Sequence, residues 1–143
     1  LCKNFNIIHI VGKGNIKPNI MTKNYVQLEF VNNIEDYFNW ADLAISRAGS
    51  NAIFELLAIS KPMLLIPLPK DVSRGDQVLN AESFMKNGFA TVINQSELNS
   101  VSLISGVNNL YNNRYKYINN MKNNKFKNGT DEILKIIKEC AKF

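Results

Sequence analysis

A guanidinium, a glycine and two short polar side chains occur together in Arg47-Ala48-Gly49-Ser50-Asn51, where an apolar run gives way to a helical pattern. Gly49 can take a positive φ and lets a ligand approach the backbone closely. Ser50 and Asn51 are good helix-capping types, and the N–H groups behind them have no partner within a helix. Free amides at the positive end of a helix favour a phosphate. The segment therefore predicts an anion site.

A carboxylate follows this turn at the spacing of one helical turn. Glu55 lies four residues after Asn51, on the same face of the predicted helix. It could accept two hydrogen bonds from the vicinal hydroxyls of a ribose, as an acidic residue does in dinucleotide sites. Phosphate and ribose together would make a nucleoside diphosphate site. A structural interpretation stays open, in which the turn is an ordinary strand–helix junction, Arg47 a surface ion-pair partner and Glu55 a solvated helical residue.

The elements that must position these residues alternate along the chain. The run 5–11 is continuously apolar and stops at Gly12-Lys13-Gly14, which is typical of a strand buried on both faces. Asn33 is a plausible N-cap, and Gly88 a good helix stop. The predicted strands are 5–11, 25–31, 43–46, 63–67 and 90–93, and the predicted helices 34–41, 51–59, 76–87, 99–112, 114–122 and 131–142.

This alternation of strands and helices predicts one α/β fold, a doubly wound parallel sheet with helices on both faces. In such folds ligands bind outside the carboxyl ends of the strands. The loops to examine are therefore those after Val11, Val31, Ser46, Pro67 and Ile93.

Composition excludes several classes of function. The net charge of +5 comes from scattered basic residues, without the Arg-rich, aromatic-interleaved stripe of a nucleic-acid interface. No run approaches 18 apolar residues, and no signal peptide is recognisable. Cys2 and Cys140 lie far apart without metal-ligand spacing, which suggests a reducing compartment and no metal site. His9, the single histidine, lies within an apolar run and is predicted to be structural.

Residues 40–93 closely resemble the donor-binding half of the MurG family of bacterial peptidoglycan glycosyltransferases. The likeness extends upstream through HIVGKG (9–14) and LEFVNNIEDYFNWA (28–41). It implies the Rossmann-like C-terminal half of a glycosyltransferase B-type fold. The matching residues are Ala41-Asp42, Ser46-Arg47-Ala48-Gly49, Glu55, Pro62, Pro67, Asp76-Gln77 and Asn80-Ala81.

The resemblance also implies a role for each matching position. The amides of Ser50, Asn51 and Ala52 correspond to a diphosphate cradle, Glu55 to the ribose ligand, and Gln77 to an amide that bonds the sugar hydroxyls. Val31 corresponds to an aliphatic residue beside the uracil. No cofactor and no metal are implied. The implied UDP-N-acetylglucosamine site consists of Val31, Arg47, Gly49, Ser50, Asn51, Ala52, Glu55, Asp76 and Gln77.

Catalysis needs more than this chain contains. An inverting transfer requires a base for the acceptor hydroxyl and stabilisation of the departing UDP. The helix tip supplies the second, but no pair of carboxylates or histidines resembles the base. The Gly-rich sequences GGxGGH and GGSxGA of the family are also missing, and the chain begins without Met. We therefore expect residues 1–143 to be a truncated donor-binding domain that lacks the acceptor domain, carries no catalytic residue and is inactive alone.

The implied partners are UDP-N-acetylglucosamine and a lipid-linked muramyl-peptide, the latter bound through the absent N-terminal domain. The implied location is the cytoplasmic face of the cell membrane, where lipid I is converted into lipid II. Two alternatives stay open: a donor-binding subunit of a split glycosyltransferase, and a UDP-sugar 2-epimerase of the same architecture. The Arg-Ala-Gly and Asp-Gln-x-x-Asn-Ala spacings favour the glycosyltransferase.

Overall fold

The computed structural model describes residues 1–124 and 129–141. That part of the chain contains five strands and six α-helices, which alternate over residues 25–92, and short 3-10 turns occur at Pro18–Ile20 and Gln95–Glu97. No helix of the described residues is both long and apolar enough to cross a bilayer. The elements are β1 (Ile7–Ile10), β2 (Tyr25–Leu28), α1 (Ile34–Trp40), β3 (Ala44–Ser46), α2 (Ser50–Ala58), β4 (Met63–Leu65), α3 (Asp76–Lys86), β5 (Ala90–Val92), α4 (Ser100–Asn112), α5 (Arg114–Lys122) and α6 (Gly129–Cys140).

All strand pairs are parallel, and they form two sheets. β3, β4 and β5 make a three-stranded sheet in that order, with Ser46 opposite Leu65 and Leu65 opposite Val92. β1 and β2 make a separate two-stranded sheet. The predicted parallel α/β class is therefore confirmed, and every predicted strand and helix has a counterpart in the structure.

Helices cover both faces of the three-stranded sheet. The side chains of β4 alternate between two clusters: Met63 and Leu65 belong to one, and Leu64 belongs to the other. The buried helical residues of the first cluster come from α2, α3 and α5, and those of the second come from α4. Because Met63, Leu64 and Leu65 are fully buried, β4 is the central strand of a doubly wound core.

The α4 layer lies very close to the sheet at Gly106. A Cβ at this glycine would be 3.0 Å from Ile93 Cδ1 and 3.4 Å from Leu64 Cδ1. The missing side chain thus lets the α4 backbone pack directly on β4 and on the end of β5.

The two-stranded sheet is less buried than its sequence predicts. Ile8 is 37% exposed and Ile10 38% exposed, so the prediction of a strand buried on both faces is wrong for β1. Ile8 lines an open, mainly apolar surface pocket of about 320 Å³ together with Asp36, Tyr37 and Trp40 of α1. An apolar run predicts a strand, but it does not specify how closely the neighbouring layers cover it.

α2 and α3 both end at a residue in the left-handed conformation. At the end of α3, Gly88 has φ 70°, and Phe89 N–H donates to the Phe84 carbonyl, which confirms the predicted stop. At the end of α2, Ser60 has φ 53°, and Lys61 N–H donates to the Leu56 carbonyl. The left-handed conformation therefore falls on a glycine in one helix and on a serine in the other.

Lys61 links the end of α1 to the end of α2. Its ammonium group donates a hydrogen bond to the Ala41 carbonyl, which follows α1. Burial lowers the pKa of Lys61, and the charge of Asp42 opposes that shift.

Candidate functional site

The β3–α2 turn and the start of α3 lie at the same edge of the three-stranded sheet. Asn80 Nδ2, in the second turn of α3, donates to the Ala48 carbonyl at 3.0 Å. Gln77 lies one turn earlier on the same helix, and Gly49 follows Ala48. Gly49 and Gln77 therefore lie at the same edge of the sheet, and Asn80 joins the two segments.

The N-terminus of α2 is bare. Gly49 occupies the N-cap, no side chain caps the helix, and the first helical hydrogen bond runs from Ile53 N–H to the Gly49 carbonyl at 3.1 Å. The N–H groups of Ser50, Asn51 and Ala52 have no acceptor among the described residues. Ser50 and Asn51 were predicted as capping types, but they lie inside the helix and make no capping bond. The predicted free amides are present.

Gly49 has an ordinary extended backbone conformation. Its φ is −68° and its ψ 137°, which any residue can adopt, so the ability of glycine to take a positive φ is not used here. A Cβ at Gly49 would meet no atom of the described chain within 4 Å. Neither backbone strain nor internal packing therefore requires a glycine here, and the position of a side chain at Gly49 is open.

Glu55 projects from α2 without a partner in the described part of the chain. It is exposed, and its side chain takes part in no hydrogen bond or ion pair there. Its carboxylate is consequently free to accept hydrogen bonds from a ligand. Its proposed contact with a ribose stays a prediction.

Arg47 joins the ends of three strands. Its Nη1 donates to the Ile66 carbonyl at 3.0 Å and to Gln95 Oε1 at 2.6 Å. Arg47 directly follows β3, Ile66 directly follows β4, and Gln95 begins the turn after β5. Among the described residues, Arg47 makes no ion pair, which overturns the surface ion-pair alternative. No local pattern in the chain indicated that Gln95 contacts Arg47.

Gln77 is oriented by the loop that precedes it. Its Oε1 accepts the N–H of Leu68 at 3.1 Å, and this contact identifies the oxygen because a backbone N–H can only donate. Its Nε2 therefore retains donors for another group. Ser73 Oγ accepts a hydrogen bond from Gly75 N–H inside the same loop. Asp76, the first residue of α3, is exposed.

Val31 lies beyond the carboxyl end of β2 and is half-buried. Its neighbour Phe30 is 75% exposed, and sequence reasoning missed this aromatic side chain although it adjoins a predicted ligand residue. Glu29 Oε1 accepts the N–H of Gly14 at 2.8 Å and so connects the loops after β1 and β2. No hydrogen bond in the described part joins Val31 to the β3–α2 turn.

His9 belongs to a polar network on the two-stranded sheet. Its Nδ1 lies 2.8 Å from Tyr25 Oη, which also accepts from Gln27 Nε2 at 3.1 Å. Gln27 is buried, and its Oε1 accepts the N–H of Lys17. The structure therefore supports a structural role for His9, although the ring is exposed. Among the described residues, no cluster of His, Cys, Asp or Glu is suited to hold a metal ion.

The chain matches one known domain family over nearly its whole length. The sequence profile of the glycosyltransferase family 28 C-terminal domain matches residues 1–135.

Curated relatives of high identity carry one shared name, UDP-N-acetylglucosamine--N-acetylmuramyl-(pentapeptide) pyrophosphoryl-undecaprenol N-acetylglucosamine transferase. The protein from Clostridium tetani (strain Massachusetts / E88) is 51% identical over 97% of this chain and 39% of its own length. That from Clostridium perfringens (strain SM101 / Type A) is 48% identical over 99% of this chain and 40% of its own length. The chain thus spans about two fifths of the length of these relatives.

Solved structures show a similar fold. The crystal structure of Acinetobacter baumannii MurG superposes with a TM-score of 0.77 at 21% identity, covering 94% of this chain and 41% of that protein. The spinosyn forosaminyltransferase SpnP gives a TM-score of 0.66 at 11% identity, covering 93% of this chain and 34% of that protein. Both likenesses support the Rossmann-like fold predicted from the sequence.

Proposed function

Because the chain belongs to the glycosyltransferase family 28 C-terminal domain family, we propose that residues 1–143 form the UDP-N-acetylglucosamine-binding domain of a longer glycosyltransferase. The curated relatives are named as transferases of N-acetylglucosamine to a lipid-linked muramyl-pentapeptide. These names favour neither the 2-epimerase nor the split-subunit alternative.

The bare tip of α2 carries this proposal. The amides of Ser50, Asn51 and Ala52 have no described acceptor, and a Cβ at Gly49 would meet no described atom within 4 Å. A diphosphate placed there would receive backbone hydrogen bonds and would lie at the positive end of the helix. As the bond from sugar to phosphate breaks, the same groups would stabilise the charge that develops on UDP.

Side chains around the tip would select the rest of the donor. Glu55, exposed and unpaired in the described part, would accept the ribose hydroxyls. Gln77 would donate from Nε2 to the sugar, since Leu68 already occupies one acceptor position of its Oε1. Asp76 would lie beside that sugar. Val31 would flank the uracil, and the exposed ring of Phe30 would offer it a stacking surface.

The acceptor side of the reaction would lie outside this chain. The base that deprotonates the acceptor hydroxyl and the surface that binds the lipid-linked muramyl-peptide would belong to the rest of the longer protein. That protein would act at the cytoplasmic face of the membrane and convert lipid I into lipid II.

A transfer assay tests where the chemistry resides. We expect the chain alone to bind UDP-N-acetylglucosamine weakly and to transfer no sugar. Joining it to the N-terminal three fifths of the Clostridium tetani relative (the joined protein) should restore transfer of labelled N-acetylglucosamine to a lipid-linked acceptor, also in the presence of chelator. Transfer by the chain alone would contradict the assignment of the base, and loss of transfer with chelator would contradict a metal-free mechanism.

A further inference from the structure

Arg47 keeps its full positive charge. Both described acceptors of its Nη1 are neutral oxygens, the Ile66 carbonyl and Gln95 Oε1. The described residues contain one ion pair, Lys135 with Glu139, and it does not involve Arg47. The guanidinium is thus held in place at one nitrogen without neutralisation.

Arg47 is close in sequence to the positive end of α2. Arg47 precedes the N-cap of α2 by two residues, and the N-terminus of a helix carries about half a positive elementary charge. An anion bound at this helix end would be attracted both by the helix and by the guanidinium. A guanidinium has five N–H donors, of which Nη1 carries two. The donors on Nε and Nη2 have no described acceptor and are free for such an anion.

Gln95 holds Arg47 through a neutral side chain, which leaves the positive charge uncancelled. Arginine only donates, so the contact at 2.6 Å must be to the amide oxygen of Gln95. A glutamate at this position would form a stronger, charge-assisted bond to Arg47. It would also cancel the charge that an anionic ligand needs.

We propose that Gln95 is a positioning residue for donor binding, which holds Arg47 as an uncompensated cation for the diphosphate of the nucleotide. This rests on the proposed function. It adds a residue from the turn after β5 to a site otherwise built on α2 and α3. Arg47 also donates to the Ile66 carbonyl, and this second hydrogen bond connects Arg47 to the loop that leads to Gln77.

The substitution Gln95→Glu separates positioning for an anion from a purely structural contact. In NMR titrations of the chain, we expect the variant to bind UDP about tenfold more weakly than the unaltered chain, with unchanged affinity for uridine and an equal or higher Tm. Ser96→Glu is the matched control, since it adds the same charge to an exposed residue of the same turn. It should weaken UDP binding less than threefold.

A double-substitution cycle tests whether Gln95 acts through Arg47. Gln95→Met alone should weaken UDP binding about three- to tenfold, and Arg47→Met alone about tenfold or more. In the Arg47→Met background, Gln95→Met should change the affinity less than twofold. Additive losses, or a Gln95→Glu variant that binds UDP as tightly as the unaltered chain, would overturn this inference alone. Failure of the unaltered chain to bind UDP would overturn the proposed function and this inference with it.

Discussion

The N-termini of α2 and α4 differ in whether a side chain accepts their first backbone N–H groups. At α4, Asn99 Oδ1 accepts the N–H groups of Val101 and Ser102 at 2.9 and 3.0 Å, and Ser102 Oγ accepts the N–H of Asn99 at 2.9 Å. This capping box satisfies the helix from within. At α2 no side chain caps the helix, although Ser50 and Asn51 directly follow the N-cap Gly49.

The difference indicates which helix end is available to a ligand. A side-chain cap fills the position that an anion would take, so α4 has no room for a phosphate at its first amides. α2 leaves those amides bare, and no described atom would meet a Cβ at its N-cap Gly49. An arginine without an ion-pair partner in the described part precedes that N-cap by two residues. We expect a cap added to α2 to weaken UDP binding, and removal of the cap from α4 to lower stability.

The largest effect is expected when α2 is given a cap of its own. In Gly49→Asp, the carboxylate can accept the N–H groups of Asn51 and Ala52 and repel the diphosphate. UDP affinity should fall about 100-fold, because two charge-assisted hydrogen bonds are lost, while the free energy of unfolding should rise by a few tenths of a kcal/mol. NMR titration and denaturant unfolding measure the two effects.

Gly49→Ala is the control for this change, since its Cβ meets no described atom within 4 Å and its backbone angles suit alanine. It should leave stability within about 0.5 kcal/mol. If Gly49→Asp bound UDP as tightly as the unaltered chain, the diphosphate would have to bind elsewhere.

The next effect concerns the carboxylate beside the tip. Glu55→Ala should weaken UDP binding to the joined protein by about 1.5–3 kcal/mol, the usual contribution of hydrogen bonds to a charged group. Its free energy of unfolding should stay nearly constant because Glu55 is exposed. Glu82→Ala, which removes an exposed carboxylate from α3, should leave affinity unchanged. Equal affinities of the Glu55 and Glu82 variants in calorimetry would show that Glu55 is only a solvated helical residue.

A smaller effect is expected when the cap of α4 is removed. Asn99→Ala should lower the free energy of unfolding by about 1 kcal/mol, because two backbone donors lose their acceptor. UDP affinity should not change. Asn51→Ala should cost less than about 0.5 kcal/mol, since Asn51 caps nothing in the structure. Denaturant unfolding that ranked the two variants in the opposite order would contradict the assigned caps.

The smallest effect lies at the other end of α2. Ser60→Gly should raise the free energy of unfolding by about 0.5 kcal/mol, because glycine adopts φ 53° without strain but loses more backbone entropy on folding. The reverse change, Gly88→Ser, should be destabilising, since a Cβ there would lie 2.5 Å from Asn120 Nδ2. A Tm that fell in Ser60→Gly would contradict the assigned strain.

Sequence patterns predicted the order of elements well because each strand and helix depends mainly on local apolar spacing. β4, for example, is predicted as 63–67 and observed as Met63–Leu65. The predicted burial of β1 was wrong because burial depends on neighbouring layers, which the apolar run 5–11 does not encode. Asn33 shows the same limit: it occupies the predicted N-cap of α1, but its side chain donates to Asp36 Oδ2 and caps nothing.

Within the site, the free amides of α2 could be predicted because they follow from where a helix starts. The backbone angles of Gly49 could not, since glycine permits many conformations. The hydrogen-bond partner of Arg47 could not be predicted either. Gln95 lies 48 residues away, and only the parallel order of β3, β4 and β5 brings the two together.

The central claim is that the bare tip of α2 binds the diphosphate of UDP. The most direct test is an NMR titration of the ¹⁵N-labelled chain with UDP and, in parallel, with uridine. The amides of Ser50, Asn51 and Ala52 should shift saturably with UDP and not with uridine, while those of Val101 and Ser102 stay unchanged. If saturating UDP left the α2 amides unmoved, or if uridine shifted them equally, the claim would be wrong.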